Sequence, residues 1–234
     1  MTFDQARRVA DAVLTEGSPL HPYCSAELRD QVRWQFGVLA PPGAGAAQIS
    51  GARTECLVAG GRGAELDIRV RFLRLSTPSA DDEPGAVEEV EVLASLGSPT
   101  EVAFELPAAE TGSGEHARRF LPLSGAVRVS AQPLDRLWRL RVDVDNRTSW
   151  GIGAGEGRDA MLVRSLVSAH TLLSVRGGEF VSLLDPPEWV RPAAEGCRNQ
   201  HTWPVLVGEG GQVVLSSPVI LNDNPEAAVE HSHS

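Results

Sequence analysis

The chain has 234 residues, of which 42% are hydrophobic and 22% charged, the profile of a folded globular protein and not of a disordered one. A formal net charge of −10 disfavours a nucleic-acid partner, because affinity for a phosphate backbone comes from cationic side chains that release counterions. No lysine occurs among the 21 basic residues, which excludes a Schiff base and a P-loop lysine.

Near the amino terminus, Thr2 and Gln5 have capping-box spacing, and Phe3, Ala6, Val9, Ala10 and Val13 recur at helical spacing up to Gly17. Asp4, Arg7, Arg8 and Asp11 interrupt any apolar run, so no secretory leader is expected. No later stretch reaches the roughly 20 apolar residues of a membrane span, and a cytoplasmic protein is the expectation. Val32, Trp34 and Phe36 alternate with polar residues as a half-buried strand would, before a loop at Pro41, Pro42, Gly43 and Gly45.

The clearest strand is ELDIRVRF, with Leu66, Ile68, Val70 and Phe72 on one face and Asp67, Arg69 and Arg71 on a face expected to meet water. Similar alternation recurs at Val90 and Val92, at Val102, Phe104 and Leu106, at Val127 and Val129, and from Trp138 to Val144. Alternation on one side implies antiparallel pairing. The stretches 76–86 and 107–117 are rich in Pro, Ser, Gly, Asp and Glu and read as exposed loops.

From Asp159 onward, Leu162, Val163, Leu166, Val167, Ala169, His170 and Leu173 fit a helical stripe capped by Asp159 and stopped at Gly177 and Gly178. A strand FVSLL, a turn at DPPEW, the segment TWPVLVG and a last strand through VVLSS and VIL complete the chain. The expected fold is mainly β (α+β): an antiparallel sandwich or barrel-like sheet with an N-terminal helix and one central helix near 159–175. A single domain over 1–234 is expected, with 228–234 a flexible tail.

Chemistry-bearing residues are sparse. Three cysteines at wide spacing argue against a disulfide framework and for thiols or metal ligands. His21-x2-Cys24 and Cys197-x3-His201 are pairs whose spacing lets both members reach one ion, and together they would suit zinc or another divalent transition metal. The plainer reading makes Cys24 and Cys197 small buried hydrophobes. Cys56 lies between apolar neighbours in TECLVAG and reads as inert core, and His170 reads as a satisfied core histidine. Asp185 and Glu188 stand in a turn where acid–base carboxylates can be displayed, though such turns also use Asp and Pro simply to turn. Asn222, Asp223 and Glu226 could bind a hard cation but read better as a solvated terminal loop, and GIGAGEG at 151–157, whose amides could cradle an anion, lacks the spacing of a dinucleotide loop and reads as a flexible loop. No Gly-x-Ser-x-Gly elbow surrounds any serine.

The blocks EGSPLHPYCSAELRDQVRWQFGVLAP, RTECLV, SLVSAHTLLSVRGGEFVSLLDPPE, CRNQHTWPVLVG and LSSPVILNDNPE span most of positions 14 to 227. Read together, they resemble a family of uncharacterised proteins encoded near actinobacterial-type nickel-iron hydrogenases. The resemblance implies an accessory or maturation role beside a metalloenzyme. His21, Cys24 and His201 are departures from the family pattern. Two functions are therefore expected to compete: an accessory or assembly protein that binds a protein partner, with Trp34, Trp189 and Trp203 as contact anchors, and a metal-binding protein or metal-dependent enzyme acting on a small molecule through His21, Cys24, Cys197 and His201.

Overall fold

A computed structural model describes residues 6–8, 10, 37–77, 85–114, 117–151, 157–208 and 210–218. The strand at 32–36, His21, Cys24, Trp34, the 222–226 cluster and the terminal tail lie outside those residues.

The fold is mainly β, built from two antiparallel sheets. Its axis is β1 (Gly51–Arg74), a 24-residue strand that carries both TECLVAG and ELDIRVRF. At about 3.3 Å per residue such a strand is too long for one side of a small core, so it serves two. One flank of β1 pairs through residues 51–58 with β8 (Trp138–Asn146), and then through residues 65–74 with β3 (Ala86–Ser95). Along the other flank runs β9 (Val167–Val181).

The change of neighbours coincides with a register shift between Gly60 and Glu65. Glycine faces glycine there: a Cβ at Gly60 would lie 3.1 Å from the Cα of Gly178, and one at Gly178 would lie 2.7 Å from the carbonyl of Ala59. Only unsubstituted backbone lets the strands approach so closely at the bend.

The eight-stranded sheet takes the order β10-β11-β9-β1-β8-β7-β4, with β3 added on β1. Here β4 is Thr100–Leu106, β7 is Leu123–Pro133, β10 is Thr202–Leu206 and β11 is Val213–Pro218. A small second sheet joins β2 (Ser76–Thr77), β6 (Arg118–Phe120) and β5 (Ala109–Thr111). Alternation does what the sequence implies: Leu66, Ile68, Val70 and Phe72 are buried in the main core with Val127, Leu140 and their neighbours. Phe72 and Phe104 stack tilted, their centroids 6.0 Å apart. The interior holds a polar knot in which the hydroxyls of Thr54 and Thr202 each lie 2.7 Å from that of Ser216.

The central helix is much shorter than 159–175. Helix α1 covers only Arg158–Leu162, its N-cap is Gly157 without a side-chain cap, and the run from Val167 onward is β9. The physical reason is burial on both faces. Leu173 and Val175 enter the main core, while Leu172 packs with Val213, Leu215 and the helical residues Ala6 and Ala10. A strand covered on both sides is apolar almost throughout, so positions three and four apart are apolar too and mimic a helical stripe. His170 is buried on this strand, not on a helix, and its Nδ1 donates to the Ser168 carbonyl at 3.0 Å.

The charged face of β1 also departs from a simple solvent face. Arg71 is only 3% exposed and pairs with Glu89, which Arg69 and Arg7 also reach. Loop 107–117 contains the short strand β5. Among the described residues no helix is long and apolar enough to cross a membrane.

Candidate functional site

The first half of β1 turns Arg53, Glu55 and Leu57 outward, and antiparallel register sets each beside one outward residue of β8 and one of β7. Three rows result: Arg53–Asp143–Arg128, Glu55–Arg141–Ser130 and Leu57–Arg139–Gln132. In the first row the Arg53 Nε meets Asp143 at 2.7 Å, and that carboxylate raises the Arg53 pKa further. Arg128 reaches Asp145 at 2.7 Å. In the second, Arg141 donates Nε and Nη2 to one oxygen of Glu55 at 2.7 and 2.6 Å. The third row contains no carboxylate. Arg139 makes no ion pair among the described residues, and its buried Nε has no hydrogen-bond partner.

A short segment roofs these rows. Helix α2 (Arg191–Glu195) follows the Pro-rich turn, with a proline in its first turn. Val190 before it is fully buried against Leu57 and Leu137. Beyond it the chain is stitched to β1: Arg198 N–H donates to the second oxygen of Glu55 at 2.7 Å, and Glu55 N–H donates to the Asn199 side chain at 2.7 Å. Arg53 and Gln200 exchange backbone hydrogen bonds of 3.0 and 2.9 Å. Glu55 is only 1% exposed, and its charge is met by Arg141 and a backbone amide. At Gly196 a Cβ would overlap Arg139 Nη2, so glycine lets the guanidinium lie under the chain.

Together these groups line a cleft of about 340 Å³, walled by Glu55, Ser130, Gln132, Arg139, Arg141 and Arg198. Three guanidinium groups face one carboxylate, a local positive excess on a chain of net charge −10. Arginine stays charged at any physiological pH and presents forked donors, so this cleft can hold carboxylate or phosphate oxygens. Among the described residues that line it, no nucleophile is paired with a base.

Cys197 stands beside Arg139. Burial pushes its thiol up to about 11, although the guanidinium pulls the other way, and the thiol donates to the Ala193 carbonyl at 3.7 Å. Cys56 is buried on the opposite face of β1, and burial raises its thiol too, in keeping with inert core. His201 has a left-handed backbone with φ of 63°, and burial lowers its imidazole. Cys197 and His201 bracket the segment stitched to β1, whereas His21 and Cys24 are outside the described residues. Among the described residues no group of three or more His, Cys, Asp or Glu side chains is disposed to hold a metal ion. Asp185 and Glu188 are exposed in their turn, where the Asp185 amide donates to Ser182 Oγ at 3.1 Å.

A second, apolar groove of about 200 Å³ lies at β10, with Cys56 among its lining residues and the exposed side chains of Leu184 and Val205 at its rim. Trp189 is 60% exposed, while Trp203 is half-buried. Sequence reasoning missed Arg139, Arg141, Arg198 and Glu55, because each looks like the polar side of a strand or loop until register pairs it. No protein-family model, curated protein or solved structure gives a significant match to this chain.

Proposed function

We propose that this chain is an accessory or assembly protein that binds a protein partner and performs no chemistry at its main site, the partner presenting carboxylates to the arginine cleft. The carrying observation is Arg139: on a face where Arg53, Arg128 and Arg141 each have a carboxylate, Arg139 has none among the described residues, and its guanidinium lies beneath Gly196, where a Cβ would overlap it. A forked guanidinium with no carboxylate of its own can take a partner's acid oxygens in bidentate fashion. Exposed Trp189, Leu184 and Val205 add apolar contact surface of the kind found at interfaces. The sequence blocks that resemble hydrogenase-neighbouring proteins support a partner among metalloenzyme components.

Affinity capture from the native host tests this, using the wild-type chain beside Arg139→Gln. A metalloenzyme component recovered near stoichiometrically with the wild type and lost with the variant is the expected outcome. Equal recovery with both chains, or recovery of no such component, overturns the proposal.

The competing reading is a metal site built from His21, Cys24, Cys197 and His201, supported by the position of Cys197 and His201 at either end of one anchored segment. Metal analysis of protein purified without an affinity tag decides it: a stoichiometric metal lost in Cys24→Ser and Cys197→Ser supports the site, and folded, metal-free protein eliminates it.

A further inference from the structure

The cleft continues around a strand edge. Strand β4 pairs with β7 only as far as Thr100 opposite Val129, whereas β8 follows β7 to Pro133 opposite Trp138. Among the described residues, Ser130–Pro133 therefore have a strand on one side and none on the other. Leu134 N–H donates to the Leu137 carbonyl at 2.8 Å, which starts the alternation. Counting back in twos, Gln132 and Ser130 bond toward β8, and Ala131 turns its N–H and carbonyl toward the open side.

Two concavities flank this edge and share Ser130 and Ala131. On the outer face is the arginine cleft. On the other is an apolar hollow of about 500 Å³ lined by Leu96, Pro99, Ala131, Pro133 and Trp138, with Arg62 at its border. An extended chain laid along the edge would send successive side chains alternately into the two. Such a strand lies about 4.8 Å from β7 and twice that from β8, a gap that an arginine and a glutamate side chain span together.

We propose that the β7 edge at Ser130–Pro133 accepts a partner's extended segment by strand addition, with an apolar residue opposite Ala131 and acidic residues on either side of it. This rests on the accessory reading above and says how the partner is held. Main-chain bonds to Ala131 supply affinity, the hollow at Trp138 selects the apolar residue, and Arg139, Arg141 and Arg198 select the acids. Pro133 lacks an N–H and ends the accepting edge, which keeps a second copy of this chain from pairing at length. The acidic chain as a whole repels an anionic segment only weakly beyond the screening length of about 8 Å in physiological salt, so the local cations decide.

The test uses fluorescein-labelled hexapeptides and anisotropy with the whole chain. One alternates glutamate and valine, a second has the same composition in two blocks, a third carries N-methyl groups on the valines of the alternating order, and a fourth replaces glutamate by lysine. The alternating peptide is expected to bind at least tenfold more tightly than the other three, and Gln132→Glu, at an exposed position, is expected to weaken it at least tenfold. Equal binding of the alternating and N-methylated peptides overturns strand addition while leaving recognition of acidic partners intact. Equal binding of the alternating glutamate and lysine peptides, or no binding of any of the three acidic peptides up to about 1 mM, a free energy near −4 kcal/mol, overturns the site itself.

Discussion

The two halves of β1 treat charge differently. Along residues 65–74 every cation on the strand meets a carboxylate: Arg69 reaches Asp67, Glu89 and Glu91, Arg71 reaches Glu89, and Arg74 reaches Glu88. Carboxylates hold Arg69 well above its ordinary pKa, Asp67 contributing most. Along residues 51–58 the pairing stops one row short, and the open row is the one roofed by Gly196. A face closed on itself has nothing left to offer a ligand. Where the same alternation leaves Arg139 without a carboxylate among the described residues beside a cleft, a binding partner can supply one.

Replacing Glu55 by Ala attacks the open half where it is most buried. That substitution strands Arg141 and removes the acceptor that anchors Arg198 N–H. Breaking a buried pair typically costs about 3–5 kcal/mol, and since the Arg141 side chain is 42% exposed the expected loss is near the lower end, about 3 kcal/mol by denaturant unfolding. A loss under about 0.5 kcal/mol would mean that the 196–200 segment is not held as described.

Next in size is an alkaline effect at Cys197. Its folded-state value of about 11 lies above the ordinary thiol value of 9.0. The folded chain therefore holds the proton more tightly, and this stabilisation is complete below pH 9 and is lost as pH rises toward 11. Thermal midpoints should fall over that window, and Cys197→Ser should fall less steeply. Identical slopes would remove the burial argument.

Arg69→Gln probes the closed half and is expected to cost about 1 kcal/mol, the upper end for ion pairs that water still reaches, since none of its carboxylate neighbours is buried as Glu55 is. If it cost more than Glu55→Ala, the ranking of the two halves would be reversed.

Much of the fold was legible because two-residue alternation survives in β1, β3, β7 and β8, where only one face enters the main core. It failed at β9 for the reason given by Leu172 and Leu173, adjacent residues buried in different clusters. The bend at Gly60 and Gly178 joined two apparent strands into one, and only the facing backbone reveals it. The cleft was illegible for a different reason. WRLRVDVDN shows two arginines and two aspartates on one face, which looks balanced; only register sets Arg139 beside Leu57 and Gln132 instead of an acid. Arg198 joins from 143 residues along the chain, tied to Glu55 by one backbone bond.

The smallest expected effect separates a folding residue from a binding one. Arg139 has a buried Nε without a hydrogen-bond partner and no ion pair among the described residues, and its guanidinium lies beside the Cys197 thiol, so no buried ion pair depends on its charge. Arg139→Gln keeps a polar side chain and drops that charge, and folding stability should change by no more than about 0.5 kcal/mol, the ordinary range for a substitution that breaks no buried pair. The alternating acidic peptide should nonetheless lose its affinity. A large destabilisation in this variant would show that Arg139 serves the fold, and the contrast between a closed and an open half of β1 would then carry no functional meaning.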